Sequence, residues 1–354
     1  MNKRILLAGG GTGGPVTPLL AVAAELKNSD PGFEFLLVGM PDSPERKMAE
    51  SAGIRFTPLR AARLRRYFSI KNFLDIFVFF GSLFSAWRII SEFKPAVIFS
   101  ACGFVSVPLA WVGKLKGVKV IVHQQDAQIS LTYKLISLVA DNSTCVFPET
   151  AKEMKPGTIV VGNPVRKQFD TPLNPDFKKR VGLKENMPLI FIVGGATGAA
   201  QINSEISKGL DKLAAKYQIV HVTGKGKQII SSQHVNYFPY EFLTDDYPEY
   251  MKAADLVISR AGLASMAELS ILSKPSIIVP MPKSHQEING ELLKAKNAAI
   301  ILNESEFNAS RLITEVDRLM TDANLRQTIS SNIKNIMPHG AAGKIAEIIK
   351  QYAN

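Results

Sequence analysis

The chain has 354 residues, is 46% hydrophobic, and carries 42 Lys and Arg against 31 Asp and Glu, a formal net charge of +11. That length and apolar share exclude a disordered or fibrous chain and fit two domains of ordinary size. The positive surplus admits anionic partners, but no recognised nucleic-acid module accompanies it, and Cys102 and Cys145 form neither a C-x-x-C nor a Cys/His metal spacing. No nucleic-acid partner and no bound metal are therefore expected. The chain opens directly on a strand with no signal-peptide pattern, so the expected setting is reduced and cytoplasmic.

In chain order, Arg4-Ile5-Leu6-Leu7-Ala8 reads as a buried strand and runs into Gly9-Gly10-Gly11-Thr12-Gly13-Gly14. Further strands are predicted at 34–39, 96–100, 119–123, 144–146 and 158–161, with helices at 17–28, 43–52, 70–93, 105–116 and 130–138. This alternation implies a parallel sheet covered on both faces. Between 56 and 74 lie Arg60, Arg63, Arg65, Arg66 and Lys71 with no acid, followed by an aromatic stretch that includes Phe77, Phe80, Phe84 and Trp87. The apolar run is too short to span a bilayer, which takes about 20 residues. A basic strip beside an aromatic helix fits a peripheral dock, with Arg63, Arg65, Arg66, Phe77, Phe80 and Phe84 as membrane contacts. Each cation near an anionic leaflet contributes about 1 kcal/mol. A core helix beside a solvated basic loop is the alternative, and the two are compatible.

Gly162-Asn163-Pro164 reads as an interdomain hinge. The pattern then repeats. Strands are predicted at 189–193, 218–222, 235–238, 256–258, 276–279 and 299–301. Helices are predicted near 200–215, 247–253, 263–272, 287–296, 309–320, 323–335 and 341–352. The strand Leu189-Ile190-Phe191-Ile192-Val193 again ends in a glycine loop, Gly194-Gly195-Ala196-Thr197-Gly198-Ala199. A strand, a glycine turn and a helix N-terminus form a phosphate cradle, because backbone N–H groups and the helix dipole favour an anion. Two such units predict two doubly wound α/β domains facing one cleft.

Gly9-x-Gly11-x-x-Gly14 has the letters of a dinucleotide fingerprint, but that fold needs an acid at the end of the second strand. Here the strand ends in Gly39-Met40 and Asp42 lies beyond it, so a nicotinamide oxidoreductase is a distant reading. Neither loop ends in Gly-Lys-Ser/Thr, and no Asp-x-Asp occurs. The most informative segment is Arg260-Ala261-Gly262-Leu263-Ala264-Ser265-Met266-Ala267-Glu268. Gly262 suits a tight turn, the N–H groups of Leu263, Ala264 and Ser265 open a helix that can hold a diphosphate, and Glu268 can accept from ribose hydroxyls. A plain βα turn with a solvated Glu is the alternative. One βα unit later, Gln286 and Asn289 fall at i, i+3, and their amides suit sugar hydroxyls.

Segments across nearly the whole chain resemble the MurG family of peptidoglycan glycosyltransferases. They are the glycine loop at 10–14, Gly103-Phe104-Val105-Ser106-Val107-Pro108, His123-Gln124-Gln125-Asp126, Gly162-Asn163-Pro164-Val165-Arg166, 194–203, Thr223-Gly224-Lys225-Gly226, Glu241-Phe242-Leu243, 260–268 and 285–289. The resemblance implies a GT-B fold of two Rossmann-like domains. Residues 1–162, with the C-terminal helix 340–354 packing back, would form the acceptor and membrane side, and 163–339 the donor side. It implies inverting, metal-independent transfer of N-acetylglucosamine from UDP-N-acetylglucosamine to the C4 hydroxyl of the N-acetylmuramyl unit of lipid I, giving lipid II. The place implied is the cytoplasmic face of an anionic membrane, held peripherally.

By the same resemblance, the Leu243 backbone would read uracil. Arg166 and Ala196 would sit by the diphosphate, with Leu263, Ala264 and Ser265 capping it. Glu268 would hold the ribose, and Gln286 with Asn289 the sugar. Thr12, Gly13 and Gly14 would face the acceptor. This chain departs from the family at Pro15, where the family has His, at Ala196, where it has Ser, and at Gln124, where it has Glu. Proline cannot take a proton, so Asp126 becomes the first candidate base and His123 the next. Two further readings stay open: a related lipid glycosyltransferase with another sugar or acceptor, and a UDP-sugar binder that has lost catalysis.

Overall fold

The computed structural model describes residues 2–10, 13–61, 71–194, 199–227 and 234–353, with the side chains of 71–77 excepted. The chain divides into two compact units, Met1–Arg166 with Pro338–Asn354, and Lys167–Met337.

The first unit comprises β1 (Arg4–Ala8), α1 (Gly13–Ser29), β2 (Glu34–Gly39), α2 (Glu45–Ser51), β3 (Arg55–Pro58), α3 (Lys71–Phe93), β4 (Val97–Ser100), α4 (Ser106–Leu115), β5 (Lys119–Gln124), α5 (Leu131–Ser137), β6 (Asn142–Cys145), α6 (Pro148–Ala151) and β7 (Ile159–Val160). Its strands form one parallel sheet in the order β3-β2-β1-β4-β5-β6-β7. Successive residues of a strand point to opposite faces, so a strand buried on both sides reads as a continuous apolar run. Ile5 and Leu7 pack on one face with α1, while Leu6 and Ala8 pack on the other with α3 and α4.

The second unit comprises α7 (Phe177–Arg180), β8 (Leu189–Val193), α8 (Ala200–Ala214), β9 (Gln218–Val222), β10 (Tyr237–Tyr240), α9 (Tyr247–Ala253), β11 (Leu256–Ser259), α10 (Leu263–Leu272), β12 (Ser276–Ile278), α11 (His285–Ala295), β13 (Ile300–Ile301), α12 (Ala309–Thr321) and α13 (Ala323–Lys334). Its parallel sheet runs β10-β9-β8-β11-β12-β13. Ile190 and Ile192 of β8 face α8 and α12, while Phe191 meets Tyr247 and Tyr250 of α9 on the opposite side. The final helix α14 (Ala341–Ala353) belongs to the first unit, where Ile345, Ile348 and Ile349 join the core around α1.

Both sheets are doubly wound, and in each the order reverses between the first strand and the fourth. That reversal opens a crevice at the carboxyl ends of the strands, the usual ligand position in open α/β sheets. The two glycine loops follow β1 and β8, the strands at that reversal.

Three details differ from the sequence expectations. The edge strand β3 carries no apolar run, because its residues are half-buried or exposed, and only pairing with β2 defines it. Strand β10 begins at Tyr237 after a turn in which the Tyr237 N–H donates to the His234 carbonyl. The units divide after Arg166 rather than at Gly162. Gly162 has φ +86°, and a Cβ there would lie 1.8 Å from the Pro338 carbonyl oxygen, so this glycine is where the outgoing chain packs against the returning one. Both residues belong to the first unit.

Candidate functional site

In the second unit the βα turn after β11 leads into a helix whose N-terminus has no side-chain cap. Gly262 is the N-cap of α10 in extended conformation, with no side chain capping the helix, and a Cβ there would meet nothing within 4 Å. The first turn of a helix leaves its N–H groups without intrahelical partners. Leu263 is buried, while Ala264 and Ser265 are half-exposed. One turn further on, Glu268 is only 5% exposed and accepts a hydrogen bond at Oε2 from the Tyr247 hydroxyl at 3.0 Å.

Neighbouring loops are tied to this turn by side chains. Arg260 donates to the carbonyls of Val279 (3.2 Å) and Pro280 (3.1 Å) and pairs with Glu304 at 2.8 Å. The amide of Gln201, in the first turn of α8, donates to the Glu304 carbonyl at 2.9 Å. The β11 turn is thereby braced to the end of β12 and to the helix that follows the second glycine loop. Gly194 is required by close approach, since a Cβ would lie 2.5 Å from the Ala199 nitrogen. Ala196 lies outside the described residues.

The amide pair at i, i+3 does two different jobs. Gln286 is half-buried at the start of α11, and its Oε1 accepts from the Met281 N–H at 3.1 Å. Asn289 is fully buried and donates through Nδ2 to the Ala261 carbonyl at 3.0 Å. Through this bond it braces the turn after β11. Leu243 is half-buried in the loop after β10, next to an exposed Phe242. Asn203 of α8 donates to the Thr223 carbonyl at 2.9 Å and meets His221 Nε2 at 3.1 Å. His221 also meets the Tyr237 hydroxyl at 3.0 Å, and burial pushes its pKa down to about 4, so the imidazole is neutral.

In the first unit, the Gly10 and Gly103 backbones touch. A Cβ on Gly10 would lie 2.5 Å from the Gly103 Cα. Sequence reading missed Glu45, which is fully buried against this loop. Its carboxylate accepts from the Gly10 N–H (2.7 Å), the Met40 N–H (2.8 Å) and the Ser43 hydroxyl (3.0 Å). This acid, the first residue of α2, is thus turned onto the chain's own backbone. The available signal was the pair Gly9 and Gly39, since a Cβ at either would collide with that carboxyl group.

Gly13 and Gly14 open α1, whose first turn includes Pro15; Thr12 lies outside the described residues. Asp126 is half-buried in the loop after β5, and its backbone carbonyl accepts from the Gln124 side chain at 3.1 Å. Cys102, at φ +60°, sits by Ser130 and Asp126, and burial pushes its thiol well up, so it is no nucleophile at neutral pH. His123 is fully buried on β5, with Nδ1 3.0 Å from Thr144 Oγ1. Burial pushes its pKa down to about 4, so it is a neutral core group. Arg166 is half-buried at the end of the first unit.

On the surface of the first unit, Phe80, Phe84 and Trp87 are exposed at helical spacing on α3, Phe84 by 75%, and Leu115 of α4 by 78%. The Lys116 ammonium lies 3.6 Å over the Trp87 ring. Arg63, Arg65, Arg66 and the side chain of Phe77 lie outside the described residues. Among the described residues, no helix is long and apolar enough to cross a membrane, and no group of three His, Cys, Asp or Glu side chains is placed to hold a metal.

Comparison with known proteins follows this division. The N-terminal domain pattern of glycosyltransferase family 28 matches residues 5–144, and the C-terminal domain pattern matches residues 189–350. The UDP-N-acetylglucosamine–N-acetylmuramyl-(pentapeptide) pyrophosphoryl-undecaprenol N-acetylglucosamine transferase of Clostridium botulinum (strain Langeland) is 34% identical over 99% of both chains. The chain belongs to the MurG family, within glycosyltransferase family 28. The corresponding Clostridium tetani enzyme is 32% identical, again over 99% of each chain. Among solved structures, Acinetobacter baumannii MurG superposes with a TM-score of 0.76 at 22% identity, covering 99% of this chain and 100% of that one. The Neisseria meningitidis UDP-GlcNAc 2-epimerase, bound to UDP-GlcNAc, gives 0.71 at 14% identity, covering 98% and 100%. These superpositions carry the GT-B fold of two Rossmann-like domains.

Proposed function

We propose that this chain is an inverting glycosyltransferase that moves N-acetylglucosamine from UDP-N-acetylglucosamine to the C4 hydroxyl of the N-acetylmuramyl unit of lipid I, forming lipid II. Family membership over the full length carries the reaction class. The structural observation that carries the donor is the uncapped N-terminus of α10 with buried Glu268 one turn inside it.

In this reading the second unit holds the donor. The N–H groups of Leu263, Ala264 and Ser265 receive the diphosphate, Glu268 the ribose, the Leu243 backbone the uracil, and Gln286 the sugar. Asn289 serves through Ala261, whose carbonyl it holds. Arg166 and the loop that includes Ala196 complete the diphosphate site. The first unit supplies the acceptor side through Thr12, Gly13, Gly14 and Asp126. Asp126 takes the C4 hydroxyl proton, the oxygen attacks the anomeric carbon from the face opposite UDP, and the bond to the diphosphate breaks. Oriented N–H groups and a guanidinium stabilise the departing charge, commonly the largest catalytic contribution. Asp126 is preferred to His123 because His123 is sealed inside the sheet, where an acceptor hydroxyl cannot reach it, whereas Asp126 is only half-buried in the loop after β5. The exposed apolar residues of α3 and Leu115, with the Lys116 ammonium over Trp87, support peripheral attachment to the cytoplasmic face of an anionic membrane.

The test is transfer of labelled N-acetylglucosamine from its UDP donor to a short-chain lipid I analogue, with UDP binding measured on the same sample. Product formation supports the reading and shows that Pro15 is tolerated. UDP binding with no product from any lipid-linked acceptor favours a binder without catalysis, a reading that Pro15 motivates.

A further inference from the structure

The tyrosine that opens α9 reaches into the donor unit's polar centre. The Tyr247 ring is set edge-on against Phe191 of β8, with centroids 5.5 Å apart at 70°, and edge-on against Phe169, 6.2 Å apart at 77°. Phe169 is itself buried, in the short turn Lys167–Phe169 that begins the second unit. These contacts place the ring, and they need no hydroxyl. The hydroxyl instead donates to Glu268 Oε2 at 3.0 Å.

A carboxylate almost withdrawn from water needs donors, and a donor on one oxygen limits how the group can turn. Glu268 rides on α10, whereas Tyr247 belongs to α9, which precedes β11 in the chain. An element other than the one that carries the carboxylate therefore helps to orient it.

We propose that Tyr247 is a positioning residue of the donor site: its phenol holds the Glu268 carboxylate in the orientation that receives the ribose hydroxyls, and so sets the preference for a ribonucleotide donor. The inference rests on the reading that Glu268 holds the ribose. Tyr247 touches no reacting atom and acts through Glu268.

The experiment is calorimetric titration of the full chain with UDP and with 2′,3′-dideoxy-UDP, which lacks both hydroxyls that Glu268 would receive. Wild type is expected to prefer UDP. Tyr247→Phe keeps the ring and is expected to weaken UDP by about tenfold, the value of a hydrogen bond to a charged group, while leaving dideoxy-UDP within about twofold. Glu268→Ala should abolish the preference. The double variant should then equal Glu268→Ala, because the phenol has nothing left to orient. Equal weakening of both nucleotides by Tyr247→Phe would make the tyrosine a packing residue only and overturn the inference. So would a wild-type preference retained in Tyr247→Phe, or a double variant weaker than Glu268→Ala. If Glu268→Ala keeps the preference, the ribose reading itself fails and takes the inference with it. If Glu268→Ala loses the preference and Tyr247→Phe keeps it, only the role of Tyr247 fails.

Discussion

Replacing Glu45 by Gln isolates the clamp on the first glycine loop. The native carboxylate receives one donor on Oε1, from Gly10, and two on Oε2, from Met40 and Ser43. A glutamine has one acceptor oxygen. Set toward Met40 and Ser43, it keeps two bonds in weaker, neutral form and aims its NH2 group at the Gly10 N–H. The orphaned buried donors cost about 1–3 kcal/mol, and the loss of charge from the remaining bonds adds about 1 kcal/mol, so the expected total is about 2–4 kcal/mol. Glu45 is fully buried, so water cannot replace the lost partner.

The assay is selective, because the chain has two tryptophans, Trp87 and Trp111, and both lie in the first unit. Urea unfolding followed by tryptophan fluorescence therefore reports that unit alone. With a slope of about 2 kcal/mol per molar, the midpoint should fall by about 1–2 M. Affinity for UDP, assigned to the other unit, should be unchanged. A midpoint within about 0.2 M of wild type would refute the clamp, since that difference corresponds to less than about 0.5 kcal/mol.

The other expectations concern the site, the pH response and the membrane. Glu268→Ala should weaken UDP binding by about tenfold or more in calorimetry, and unchanged affinity would remove that residue from the donor site. Asp126→Asn should lower the transfer rate by about 10²–10⁴-fold at unchanged UDP affinity, and a variant with wild-type turnover would move the base elsewhere. His123 has a folded pKa of about 4, below the ordinary 6.5, so the unfolded chain binds the extra proton between those values. Stability should be fully present above pH 6.5 and decline toward pH 4, by at most about 1.4 kcal/mol per pH unit from this group. His123→Gln should flatten that slope in the tryptophan signal, and an unaltered slope would count against a buried neutral imidazole. Phe84→Ser with Leu115→Ser should lower binding to anionic vesicles by about tenfold or more, while the Arg63, Arg65 and Arg66 triple alanine variant should lose the salt-sensitive part. Vesicle binding unchanged in both would end the docking proposal.

The sequence by itself determined whatever depends on neighbours along the chain. Continuous apolar runs such as Leu189–Val193 marked buried parallel strands, because a strand covered on both faces needs apolar residues at every position. The glycine turns and the start of α10 were legible for the same reason, as strand, turn and helix N-terminus are contiguous. Even so, α1 begins at Gly13 and not at 17, since proline fits the first turn of a helix, where its missing N–H is not needed.

Tertiary structure alone decided what each polar side chain does. Glu45 carries no mark of its own in the sequence, and only the fold lays it against Gly9 and Gly39. Asn289 shares a helical spacing with Gln286, yet its Nδ2 is committed to the Ala261 carbonyl in the turn after β11. Strand β3 exists through its pairing with β2, without an apolar signature of its own. His123 ends in the core because its strand lies inside the sheet. A hydrogen bond between residues tens of positions apart leaves no local periodicity, so the strands and turns could be read from the chain, whereas the bonds that orient Glu268, brace Ala261 and hold Gly10 could be read only from the fold.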